Sequence, residues 1–268
     1  MEWPTIVLAR RRLRFTAQGQ GATLQDMADP IQFNNIDLSR GQNPLFQGLS
    51  LSLPGGMTSA VLGESGAGKS SLLELVNGLL RPSNGEVRVF GKPINDAKLV
   101  ELRKRIGYAV QGTGLFPHLT VADNIRLLAQ LTGWSVQQMS TRIAELMDLM
   151  ALPEALATRY PHELSGGQQQ RAGICRAMML APPILLLDEP FSGIDPVNRR
   201  DIHRRLAALV QAQGTTVVLV THDSNEALNL ADHLVILRAG QLVAAGPPDS
   251  VLASDDLYVQ DFFGQSNA

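Results

Sequence analysis

The residues Gly63-Glu64-Ser65-Gly66-Ala67-Gly68-Lys69-Ser70-Ser71 combine a pliable backbone, a cation and hydroxyls at fixed spacing. A glycine, four residues and then Gly-Lys-Ser is the pattern of a phosphate-binding P-loop. Its glycines tolerate positive φ, so successive N–H groups can converge on phosphate. Lys69 has the reach for the β- and γ-phosphates of ATP, and the Ser70 hydroxyl suits Mg²⁺. The context separates this from a chance glycine turn. Residues 58–62 are short, apolar and β-branched, as a buried strand would be, and Leu72, Leu73, Leu75, Val76 and Leu79 recur at helical spacing. The helix adds the positive end of its dipole.

Four further groups could do chemistry beside it. Ile184-Leu185-Leu186-Leu187 reads as a central parallel strand ending in Asp188-Glu189. Asp188 at a strand end can hold Mg²⁺ directly or through water. Glu189 can accept a proton from the attacking water, or orient it. His222 follows the apolar run 216–220 and can reach the γ-phosphate. Gln111 ends the run 105–110 and offers an amide to Mg²⁺ and water. Ser165-Gly166-Gly167-Gln168 opens a helix: serine caps it, the glycines bare their N–H groups, and the helix end favours an anion.

The pentapeptide Leu164 to Gln168, lying between a P-loop and an apolar strand with Asp-Glu, resembles the ABC-type ATPases. The resemblance spans residues 31–264, with Gln111 as the Q-loop, Asp188 and Glu189 as Walker B and its glutamate, Ser192-Gly193-Ile194-Asp195 as the D-loop and His222 as the switch histidine. It implies an α/β fold: a P-loop core with a mostly parallel sheet, an N-terminal antiparallel β subdomain, and an inserted helical subdomain over about 113–171. It also implies that Ser165, Gly166, Gly167, Gln168 and Asp195 close on ATP held by a second copy in a head-to-tail dimer. The family usually has an aromatic residue on the turn after the first strand, where Arg40 stands here. A guanidinium can stack on adenine, or Arg40 is only a loop charge.

Leu115-Phe116-Pro117-His118-Leu119-Thr120-Val121, Tyr160-Pro161-His162-Glu163 and the ending 259–264 resemble importer subunits, nearest to the osmoprotectant branch for glycine betaine, carnitine and choline. This implies a peripheral subunit on the cytoplasmic face of the inner (plasma) membrane. Its partners would be a transmembrane permease docking near Leu115–Val121 and, indirectly, a substrate-binding protein. Members of that branch often carry C-terminal regulatory domains, for which this chain stops too soon. The other readings are an ABC ATPase of a lipid or other transport system, a soluble ABC ATPase of translation or DNA repair, and a generic P-loop kinase or switch. Translation factors of that kind carry two cassettes, repair proteins place a long coiled coil between P-loop and signature, and a generic kinase leaves Leu164–Gln168 unexplained.

The remaining composition is that of an ordinary globular chain. Its 268 residues are 44% hydrophobic and 18% charged, with a net charge of −2 that gives no reason to expect nucleic acid. No apolar run reaches the roughly 20 residues a bilayer demands, and no secretory h-region opens the chain. Residues 1–30 read as an extension with Arg10, Arg11, Arg12 and Arg14 clustered, a glycine-glutamine linker and a short candidate edge strand at 6–9; residues 265–268 read as a tail. Cys175 reads as a buried packing thiol, and Met139, Met147 and Met150 as adaptable packing. His118, His162, His203 and His233 lack metal-like spacing and read as turn or surface residues.

Overall fold

The computed structural model describes residues 29–264 apart from Thr113 and Asp195. The basic cluster and candidate strand of the N-terminal extension, Asp195 and the tail lie outside the described residues. The chain opens with β1 (Ile31–Arg40), β2 (Asn43–Leu53), β3 (Thr58–Gly63), α1 (Lys69–Val76), β4 (Asn84–Val89) and β5 (Lys92–Pro93). Then come α2 (Leu99–Lys104), β6 (Ile106–Ala109), α3 (Val121–Leu131), α4 (Val136–Leu149), α5 (Gly166–Met178) and β7 (Ile184–Asp188). It closes with α6 (Pro196–Gln213), β8 (Thr216–Val220), α7 (Ser224–Leu230), β9 (His233–Arg238), β10 (Gln241–Gly246), α8 (Pro248–Leu252) and α9 (Leu257–Phe262).

Two sheets form. One is antiparallel with order β2-β1-β4-β5; the other runs β10-β9-β3-β8-β7-β6, parallel except for the edge hairpin of β9 and β10. The parallel strands read as continuous apolar runs because both their faces are covered. Leu185, Leu187, Val217 and Leu219 pack toward α3–α6, while Ile184, Leu186, Val218 and Val220 pack toward α1 and the antiparallel sheet. This period-two division between two cores welds the sheets together around α1. A third cluster, from Ala60, Leu62, Leu234 and Ile236, is closed by Ala227, Val251 and Val259.

The P-loop strand and the start of its helix lie where the residue pattern puts them, and Met139, Met147, Met150 and Cys175 are buried. One expectation needs correction. Leu79 is 53% exposed, because α1 stops at Val76 and a left-handed Gly78 turns the chain away. β7 is the interior parallel strand its apolar run implies, paired with β8 on one side and β6 on the other, and is fifth of six in the sheet. Two short helices, α2 and α7, gave no periodic signal: α2 buries no side chain, and α7 buries only Glu226 and Ala227. The Asp223 carboxylate caps the start of α7, accepting from the N–H groups of Asn225 and Glu226.

Candidate functional site

The parallel register assembles the site. Val61 pairs with Val220, and Val220 with Asp188. Gly63, His222 and Glu189 therefore emerge at the same edge, where Gln111 arrives two residues beyond Ala109, the partner of Leu187. Ligands of open α/β sheets bind outside these carboxyl ends. Here a cleft of about 510 Å³ is lined by Arg40, Leu45, Ser65, Gly66 and residues 68–71, with Gln111, Glu189 and His222.

At its floor, Gly68 caps α1 at φ +100, a conformation side chains avoid, and a Cβ there would meet the Phe46 ring at 2.5 Å. Lys69 folds back so that Nζ donates to the carbonyls of Gly63 at 2.7 Å and Glu64 at 2.9 Å. Burial pushes its pKa down, and the carboxylates of Glu189 and Asp188 oppose that shift. Asp188 is 3% exposed. Burial raises its pKa, a hydrogen bond with Ser70 lowers it, and its Oδ1 has no partner. A buried carboxylate oxygen left unpaired beside a serine hydroxyl fits a hard, oxygen-seeking cation. Among the described residues no cluster of three or more His, Cys, Asp or Glu could hold a metal alone, so phosphate oxygens and water must complete any Mg²⁺ shell.

Glu189 is held from two sides. Gln111 Nε2 donates to Oε2 at 3.2 Å, and His222 Nδ1 lies 3.3 Å from Oε1. His222 is otherwise open to solvent. Arg40 lines the cleft, and its guanidinium is tethered to Glu74 of α1 at 2.7 Å. Glu64, Ala67 and Ser71 complete the loop, with Ala67 and Ser71 buried beneath it.

Ser165, Gly166, Gly167 and Gln168 do not line this cleft. They form the start of α5, where Ser165 Oγ accepts from Gln168 N–H and Gln168 Oε1 accepts from Ser165 N–H. The reciprocal pair fixes the helix mouth. The space around Gly166 is open.

Several residues that support the site were not legible as such. Asn124 is fully buried; its side chain accepts from Phe116 N–H and donates to the carbonyls of Phe116, Leu119 and Thr120, pinning the segment after Gln111. Arg176 of α5 donates to the Gly114 carbonyl in the same segment. Arg199 of α6 ties the Ile194 carbonyl to Asp223, next to His222. The expectation of a turn or surface position fails for His203, which is 7% exposed on α6 and packs edge-on against Phe191 at 4.4 Å. His118 and His162 are exposed, in ring contact with Phe116 and Tyr160. His203 lies on an apolar turn of α6 with Ile202 and Leu206, a position from which its burial could have been read.

His203 carries a pH dependence. Burial, aided by Arg199 and opposed by Asp223, lowers its pKa from 6.5 to about 4. Between those values the unfolded chain binds a proton that the fold rejects, so this residue's contribution is present above pH 6.5 and is lost as pH falls through 4. Glu226, 3.9 Å away, has its pKa raised by burial and so acts in the opposite sense. Urea midpoints of wild type and His203→Gln should differ most near neutrality and converge on acidification toward pH 4. A constant gap would show that His203 is not held neutral.

A glycine loop, a carboxylate pair and a histidine at one edge of a parallel sheet define a P-loop nucleotide-binding protein. Residues 46–192 match the family described as ABC transporter. The chain is 44% identical over 239 residues to the glycine betaine uptake system ATP-binding protein YehX of Escherichia coli (strain K12), covering 88% of this chain and 77% of that protein. It is 41% identical over 227 residues to the choline transport ATP-binding protein OpuBA of Bacillus subtilis (strain 168), covering 84% of this chain and only 60% of that protein's length. The dimeric, ADP- and Pi-bound structure of the ATP-binding cassette MJ0796 superposes with a TM-score of 0.76 at 30% identity, covering 81% of this chain and 98% of the other. The chain belongs to the ABC transporter family, among its ATP-binding subunits.

Proposed function

We propose that this chain hydrolyses ATP at the seam of a head-to-tail dimer and thereby powers an importer of osmoprotectant-type solutes. The observation that carries the reading is Glu189, gripped between Gln111 and His222 at the mouth of the P-loop cleft. Residues 31–264 would be the cassette, with residues about 113–171 as its helical lobe. Lys69 and the P-loop N–H groups bind the β- and γ-phosphates. Arg40 stacks on the base, a role supported by its place on the cleft wall and its anchor at Glu74. Asp188, Ser70 and Gln111 would hold Mg²⁺, which when bound offsets the charge on the phosphate oxygens. Glu189 takes the proton of the attacking water, while Gln111 and His222 fix the carboxylate's direction. Ser165, Gly166, Gly167, Gln168 and Asp195 cover the γ-phosphate bound by the other copy, and release of products reopens the pair.

The permease would dock on the segment 115–121, which Asn124 and Arg176 hold in shape. Among the described residues no helix is long and apolar enough to cross a membrane, so a separate transmembrane subunit would carry the solute. A substrate-binding protein would deliver it, and the assembly would sit at the cytoplasmic face of the inner membrane. Glycine betaine- and choline-type cargo is supported by what the relatives are named for. The test is a Ser65→Cys, Ser165→Cys double variant in the full chain; buried Cys175 stays out of the reaction. Oxidation should give an intermolecular disulfide with ATP present and little without it. No such bond under any nucleotide condition would remove the dimeric site.

A further inference from the structure

We propose that Gln170 is a positioning residue for hydrolysis, holding Glu189 by its main chain from the helix that bears the signature glycines. This rests on the catalytic role of Glu189 proposed above.

Gln170 lies one turn into α5 and is 8% exposed. Its Nε2 donates to the Glu189 carbonyl at 2.5 Å and to Ser192 Oγ at 3.2 Å, and its Oε1 accepts from Gly193 N–H at 3.0 Å. Both amide donors and the carbonyl are thus engaged, all with the segment that follows Asp188. A buried glutamine that served only to fill space would leave some of that capacity unused or spend it on its own helix.

Glu189 needs such a grip. Its φ is +46°, a left-handed conformation that residues other than glycine seldom hold. Such a backbone persists where its surroundings over-determine it. Here its N–H donates to the Val220 carbonyl of β8 at 2.9 Å, and its carbonyl accepts from Gln170 and from Ser192 Oγ. One side of the residue is therefore fixed by the sheet and the other by α5. The carboxylate leaves the backbone in the direction that puts it between Gln111 and His222; relaxation of φ would swing it away from both.

The contact has no slack. A Cβ on Gly167 would lie 2.4 Å from the Gly193 carbonyl oxygen, so the mouth of α5 is seated directly on the segment that Gln170 bonds. A tilt of α5 moves Gly193 and the Glu189 carbonyl with it. In a dimer that helix mouth faces the partner's nucleotide, so closure on one ATP would be felt at the other chemical centre.

The test compares wild type, Gln170→Leu and Gln170→Glu in the full chain. Leucine removes every bond; glutamate keeps an acceptor for Gly193 N–H but sets a carboxylate oxygen against the Glu189 carbonyl. Both should keep the MgATP dissociation constant and KM within about twofold and lose about 10²-fold in kcat, the cost of a misplaced catalytic group. If Gln170 were only packing, kcat per folded molecule would stay at the wild-type value while melting temperature fell, and the proposal would be overturned. A weakened MgATP affinity with unchanged kcat would also overturn it. The 65–165 crosslink, run on the same variants, tests the dimer separately. A crosslink that forms alongside wild-type kcat in Gln170→Glu defeats this inference alone. Should leucine prevent folding, the glutamate variant decides.

Discussion

Glu189→Gln should bind MgATP as tightly as wild type and hydrolyse it about 10²–10⁴ times more slowly, a barrier increase of roughly 3–5 kcal/mol. The amide has nearly the shape of the carboxylate, so the φ of +46° and the bonds to the Glu189 main chain need not change. Gln111 Nε2 loses a charged acceptor and His222 a negative neighbour. The variant has no group left to take the water's proton. Because Lys69 and the P-loop are untouched, binding persists while turnover stops, and the closed dimer should accumulate in size-exclusion chromatography with ATP. Phosphate release under single-turnover conditions gives the rate. Turnover at the wild-type rate would take Glu189 out of the chemistry and leave the cleft a binding site only.

The outline of that cleft was readable from residue types because its parts are local. A P-loop needs only a strand, a loop and a helix that are consecutive in sequence, and Asp188-Glu189 and His222 each close an apolar run. Periodicity reports burial, so strands sealed on both faces stood out. What supports the cleft was not readable, because it is polar and non-local. Gln170 and Asn124 act on backbone groups up to 23 residues away, Arg199 reaches the Asp223 carboxylate 24 residues on, and His203 packs on the Phe191 ring. Their side-chain types are ordinary on helices. One trace existed: Gln170 shares a face with Ile174 and Ala177, all buried, and a polar residue at a core-facing position needs partners. The order of strands was likewise hidden. β7 reads correctly as an interior strand because it is wholly apolar, but any strand covered on both faces reads so, and its place as fifth of six is not legible from that.

Lys69→Met separates binding from chemistry in the opposite sense. In the structure the ammonium is buried against two carbonyls and stands near Asp188 and Glu189. Phosphate oxygens can replace those carbonyls as acceptors, turning bonds from a cation to a neutral carbonyl into ion-paired ones. A hydrogen bond to a charged group contributes about 1.5–3 kcal/mol, which is roughly ten- to 150-fold in the dissociation constant. Methionine fills the same slot without the charge, and the two carboxylates then face the incoming polyphosphate with nothing to offset them. The loss should therefore fall at or beyond the upper end of that range. Thermal melting reads it directly, because a ligand at 100 times its dissociation constant stabilises the fold by about 2.7 kcal/mol. At about 100 times the wild-type dissociation constant, where wild type and Glu189→Gln shift clearly upward, Lys69→Met should show almost no shift, while melting near wild type without nucleotide. A full ATP shift in Lys69→Met would mean that the P-loop amides alone bind the phosphates and that the lysine serves only the transition state.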